Sequence, residues 1–137
     1  MKLLFHFKPY LLPVLWLNII LGLLLAGCAG SQTNNAPTTA QAYIKALVAK
    51  DATMLTSLSC AAWEADAKTE LDSFGAVTAR LEDLSCKEAS KDGNFILVAC
   101  TGKIIANYNG EDQTINLADR TYKMIQEGGD WRMCGYR

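Results

Sequence analysis

Apolar and polar residues are distributed along this chain in four successive patterns. Leu11 to Leu25 is a run without charge, mostly Leu, Ile and Val, broken only by Pro13 and Asn18. Ala29 to Thr39 (AGSQTNNAPTT) is polar, uncharged and free of bulky apolar groups, so it cannot bury enough surface to fold and reads as a tether. A helical period follows. Thr38 and Gln41 fit a capping box with Thr38 as N-cap, and Ala40, Tyr43, Ile44, Leu47 and Val48 share one face. Asp51 caps a short second helix carrying Met54, Leu55 and Leu58. A third helix is expected from Ser59 or Cys60, with Trp63, Ala67, Leu71 and Phe74 at helical spacing and Glu64, Asp66, Lys68, Glu70 and Asp72 facing water. Gly75 is its expected stop.

The period then shortens. Val77 to Ala89 carries mixed signals that resolve to strand at Leu84-Ser85-Cys86. Phe95 to Tyr108 is dense in β-formers, Gln113 to Leu117 returns, Arg120 to Gln126 extends that same strand, and Trp131 to Tyr136 is the last. Asn109-Gly110 and Gly128-Gly129 are tight-turn pairs, because both positions tolerate positive φ. Helices first and strands afterwards predict an α+β domain, with N-terminal helices packed on a curved antiparallel four-stranded meander.

Composition matters once the first segment is set aside. Residues 1–27 hold no acid and only two bases, Lys2 and Lys8, so residues 28–137 carry 11 Lys and Arg against 14 Asp and Glu, a formal charge of −3. A mildly acidic domain is a poor partner for nucleic acid. The single His, His6, falls in the first segment, so residues 28–137 offer no imidazole for catalysis or for most catalytic zinc sites. Neither a metal site nor a cofactor motif is expected; Gly128-Gly129 precedes no helix and is a turn, not a phosphate loop.

The apolar run is short for a membrane span and ends in Leu25-Ala26-Gly27-Cys28. LAGC resembles the lipobox of bacterial lipoproteins. The resemblance implies a signal peptide over 1–27, a diacylglyceryl thioether on Cys28, cleavage before it, and a tether over 28–38. The folded domain then spans 39–137 on the extracytoplasmic face of a bacterial cell membrane, with membrane lipid as the partner of Cys28. Two or three acyl chains give stable anchoring, where one is marginal.

Four further cysteines remain: Cys60, Cys86, Cys100 and Cys134. An even number in an exported chain without C-x-x-C points to two disulfides. A three-residue hairpin loop, Asp92-Gly93-Asn94, sets Lys91 opposite Phe95 and thereby Cys86 opposite Cys100, leaving Cys60 for Cys134. A two-residue loop would shift this register and separate Cys86 from Cys100. The rival pairing is Cys60–Cys86 with Cys100–Cys134.

Two stretches resemble the nuclear-transport-factor-2-like superfamily, the cystatin-like α+β roll. One is AYIKALVAKD (42–51) with Met54, Leu55 and Leu58; the other is the closing YKMIQEGGDWRMCGY (122–136). The resemblance implies a curved sheet around the helices that leaves a cone-shaped cavity. Some members of that superfamily are small isomerases, hydrolases or cyclases; many only bind or dimerise. No residue here matches an enzyme motif position by position, so no catalytic residue is carried over.

Trp63, Phe74, Tyr108, Tyr122, Met124 and Trp131 are the candidate lining of an apolar pocket, and the same residues serve equally as core and sheet packing. Asp119-Arg120 beside Tyr122 is either a polar cavity wall or a local ion pair on an exposed strand. The expected role is a ligand-binding or protein-interaction module, taking a small apolar ligand or a protein, or pairing as a homodimer through the sheet. The alternative is a cone-cavity enzyme with acid/base residues other than His. A carboxylate converging with tyrosine inside an apolar pocket would favour the enzyme.

Overall fold

The computed structural model describes residues 35–137. The leader, Cys28 and most of the tether lie outside the described residues. Three helices come first: α1 (Ala36–Ala49), α2 (Ala52–Ser57) and α3 (Glu64–Ser73). Five strands follow: β1 (Thr78–Asp92), β2 (Phe95–Tyr108), β3 (Glu111–Asn116), β4 (Thr121–Glu127) and β5 (Asp130–Tyr136). The class is α+β, with one antiparallel sheet in the order β1-β2-β4-β5 and β3 also on β2. No described helix is long and apolar enough to cross a membrane.

α1 starts before the expected cap. The Asn35 side chain accepts from the Thr38 amide at 3.0 Å, and Thr38 Oγ1 accepts from the Asn35 amide at 3.2 Å. The box is thus Asn35–Thr38, not Thr38–Gln41. Pro37 lies in the first turn, where a missing N–H costs nothing. The earlier start buries Ala36 one turn ahead of Ala40, and Tyr43, Ile44 and Leu47 continue the stripe into the core.

The third helix begins later than expected, at Glu64, because the chain from Leu58 to Cys60 is used otherwise. Ser59 forms a parallel bridge with Met133; Cys60 N–H donates to Met133 O at 2.8 Å, and Met133 N–H to Leu58 O at 2.7 Å. This short extended piece covers part of the β5 edge, which would otherwise expose unpaired backbone. The Cys60–Cys134 bridge pins the same contact covalently.

The expected four strands are five. The segment read as one strand from Gln113 to Gln126 is broken by a 3-10 turn at Leu117–Asp119, whose Ala118 amide donates to Asn116 Oδ1 at 3.1 Å. Leu117 plugs into the core there, and the chain resumes pairing with β2 further along. Both two-residue turns stand where expected: Tyr108 pairs Glu111 around Asn109-Gly110, and Glu127 pairs Asp130 around Gly128-Gly129.

The β1–β2 register reaches its result by another route than expected. The loop is the two-residue Gly93-Asn94, with Asp92 opposite Phe95. Gly93 has φ 58°, as the first position of a II′-type turn requires. That loop alone would separate Cys86 from Cys100. A bulge between Glu88 and Ser90 leaves Ala89 unpaired and moves the register back by one, so Cys86 lies opposite Cys100 and the two are bridged.

A second bulge sets Asp83 and Leu84 against Gly102. Asp83 has φ 54° and Gly102 φ 97°. A Cβ on Gly102 would overlap the carbonyl oxygens of Glu82 and Asp83, so the close approach of the two backbones depends on glycine. The helices cover one face of this sheet, and Tyr43, Ile44, Leu55, Val98, Met124 and Met133 fill the space between the layers.

Candidate functional site

The polar centre of the domain is built around Glu70, a residue whose charge suggested a solvated position. Glu70 lies three residues after Ala67 and four before Phe74, which places it on the buried stripe of α3. Its side chain is only 16% exposed. Tyr43 of α1 donates its phenolic hydrogen to Glu70 Oε2 at 2.8 Å, and Tyr136 of β5 donates to Oε1 at 2.6 Å. Trp63 Nε1 donates in turn to Tyr43 Oη at 3.1 Å.

Arg120 completes the group. Its Nη1 stands 3.8 Å from Glu70 Oε1, and its guanidinium carbon lies 4.3 Å above the centre of the Tyr136 ring. Arg120 therefore pairs with Glu70 across the fold, not with its neighbour Asp119 as a local pair. The Tyr136 ring is held edge-on between Trp63 and Tyr122, at 5.5 and 5.2 Å between centroids. Gly135, just before it, has φ 116°, a conformation that favours glycine, and it lies against the Trp63 ring.

Burial, then the negative charge of Glu70, push the Tyr43 and Tyr136 phenols well above their ordinary range. Burial also raises Tyr122 to about 12, against the opposing charge of Arg120. The three phenols keep their protons at neutral pH, and Tyr43 and Tyr136 act as donors to Glu70. Each carboxylate oxygen already accepts a phenolic hydrogen, and the cation faces the same group. The arrangement is a filled charge-assisted hydrogen-bond cluster, suited to fixing α1, α3 and β5 together.

The six candidate pocket residues part four ways. Phe74, Tyr122 and Met124 are core. Trp63 belongs to the Glu70 cluster. Tyr108 is 40% exposed at the Asn109-Gly110 end of the sheet, where its strand runs out of covering layers. Trp131 alone lines a groove, about 330 Å³, together with Thr39, Ser57, Leu58, Asp130 and Arg132. The residues fill the layers because each sits on a face that the helices cover, except at the strand end and the β4–β5 turn.

A second groove of about 420 Å³ opens at the Gly102 bulge, lined by Asp83, Thr101, Gly102, Lys103, Thr114 and Asn116. Its cation is already engaged, since Lys103 Nζ lies 3.1 Å from Glu82, which also holds Arg80. The Lys103 bond, followed in effect by Arg80, lowers the Glu82 carboxyl below its usual range. Among the described residues, no three His, Cys, Asp or Glu side chains gather as a metal site.

No protein-family model, curated protein or solved structure matches this chain.

Proposed function

We propose that this chain is a membrane-anchored extracytoplasmic lipoprotein whose domain, formed as a cystatin-like roll, is a ligand-binding or protein-interaction module. The observation that carries the reading is LAGC, ending an uncharged apolar run and followed by a polar tether. Two disulfides in so small a domain suit an oxidising compartment outside the cytoplasm. The roll is supported by the long bulged β1–β2 hairpin with helices on one face. The module is favoured over an enzyme by the state of Glu70: a general base needs an oxygen free to take a proton, and both of its oxygens are committed to phenols.

Intact-mass measurement of protein extracted from membranes tests the anchor. The expected species begins at Cys28 and carries diacylglyceryl and acyl mass. Cys28→Ser gives an uncleaved, unacylated precursor. A mature chain that begins elsewhere without acyl addition refutes the proposal.

A further inference from the structure

We infer that the end of the domain formed by the start of α1, the β4–β5 turn and Trp131 is the face that rests on the phospholipid surface. The inference rests on the reading of Cys28 as the acylated residue. Covalent geometry then limits the arrangement. Seven Cα–Cα steps join Cys28 to Asn35, which at about 3.6 Å per residue is a reach of about 25 Å at most. A domain of this length has a radius of gyration of about 13 Å, so it is wider than its connection is long. The end that carries Asn35 is held near the lipid, and the opposite end is not.

The structure places a distinctive set of side chains at that end. Thr39, one turn into α1, shares the 330 Å³ groove with the partly exposed Trp131. Ser57 lies in the same groove, with its Oγ 3.7 Å from the sulfur of Met54, which is 48% exposed. The register adds a second aromatic group. Ile96 pairs with Met124, so the start of β2 lies beside the end of β4, and Phe95 stands at the same end of the sheet. The Lys123 ammonium lies 4.3 Å above the Phe95 ring.

Trp131 and Lys123 each carry an apolar body and a polar tip, and Phe95 and Met54 add apolar surface beside them, a composition that favours the boundary between headgroups and acyl chains. The acids at this end are all engaged. Asp130 pairs with Arg132 at 3.4 Å, Asp92 with Arg137 at 2.9 Å, and Glu127 accepts from the Ala61 amide at 3.1 Å. Two of these carboxylates, Asp130 and Asp92, are paired with a cation, and the Glu127 carboxylate is held by a backbone amide. At the far end, the Asn109-Gly110 turn sets Tyr108 beside Glu111 and Asp112.

The test uses the acylated protein in phosphatidylcholine–phosphatidylglycerol vesicles, with and without brominated acyl chains. Trp63 and Trp131 are the only indoles in residues 28–137. In the wild type, a blue-shifted indole component loses most of its intensity in the brominated vesicles. Trp131→Phe abolishes that loss, because Trp63 is packed against Tyr136. Indole emission insensitive to bromine but open to aqueous iodide overturns the inference. So does a Trp131 signal that shifts only when a soluble protein or small ligand is added, which assigns the groove to that occupant. Intact mass of the same preparation separates the two failures: no acyl addition refutes the anchor and the inference together, whereas an acylated protein without quenching refutes the inference alone.

Discussion

Tyr136 donates its hydroxyl hydrogen to Glu70 at 2.6 Å, a bond that joins the last strand to the third helix across 66 residues of sequence. Tyr43 engages the other oxygen from the first helix, so one carboxylate fixes three elements. A hydrogen bond to a charged, largely buried acceptor contributes about 1.5–3 kcal/mol. Tyr136→Phe should therefore lower unfolding free energy by about that much in urea, with both disulfides intact. Glu70→Gln should cost a similar amount, since an amide has a single oxygen to accept with. Glu70→Ala should cost more than either, because it leaves two phenols and Arg120 without their acceptor. An unchanged midpoint for Glu70→Ala would show that the cluster holds nothing together.

Alkaline pH should weaken the fold through the same phenols. In the unfolded chain a tyrosine ionises near pH 10. In the fold, burial holds Tyr122 to about 12 and drives Tyr43 and Tyr136 upward as well. Above pH 10 the native state therefore binds more protons than the unfolded state, and stability falls as pH rises. The contribution is complete below pH 10 and declines through about 12. Denaturation midpoints measured from pH 8 to 12 should show that fall, and Tyr136→Phe should make it shallower. Phenolate absorbance that develops fully near pH 10 without unfolding would contradict the burial.

The Gly102 bulge makes a further prediction. An added Cβ there meets two backbone oxygens, and φ is 97°. Strain of that kind costs about 1–3 kcal/mol before the overlap is counted. Gly93, at φ 58°, has open space around its missing Cβ. Gly93→Ala should cost about 1–2 kcal/mol. Gly102→Ala should exceed it clearly in the same urea series. Equal losses would mean that the bulge relaxes and that glycine is not needed for the close approach.

What was legible in the residues, and what was not, follows from how local each cause is. Asn109-Gly110 and Gly128-Gly129 announce their turns because two adjacent residues accept positive φ by themselves. The order of helices and strands is equally local, carried by the change of period after Gly75. Glu70 was legible and misread: its spacing from Ala67 and Phe74 placed it on the buried stripe, but its charge suggested solvent. The partners that make its burial tolerable, Tyr43 and Tyr136, lie 27 and 66 residues away. Asn35 was hidden behind Pro37, which reads as a breaker but belongs in a first helical turn. The bulges at Ala89 and at Asp83-Leu84 leave no mark in the sequence of β1, because they are set by how two long strands fit each other and the core. The six aromatic and apolar residues named as pocket lining are dispersed over core, cluster, strand end and groove for a related reason: periodicity shows which side chains face inward, not whether space remains between them.

The disulfides give the final prediction. Non-reducing peptide mapping should link Cys60 to Cys134 and Cys86 to Cys100. The two bridges span 74 and 14 residues. By the chain-entropy estimate they restrict the unfolded chain by about 4.5 and about 3 kcal/mol respectively. Replacing Cys60 and Cys134 by Ser should therefore destabilise the domain more than replacing Cys86 and Cys100. It also frees the Leu58–Cys60 segment from the β5 edge it covers. The Ala89 bulge permits a sharper check of the register. Ala89 is the residue without a partner, so deleting it joins Ser90 opposite Leu97 directly to Glu88 opposite Val98. Cys86 then still faces Cys100, and the peptide link should survive the deletion. Loss of the Cys86–Cys100 peptide in the Ala89 deletion would show that the bridge is not placed by this register.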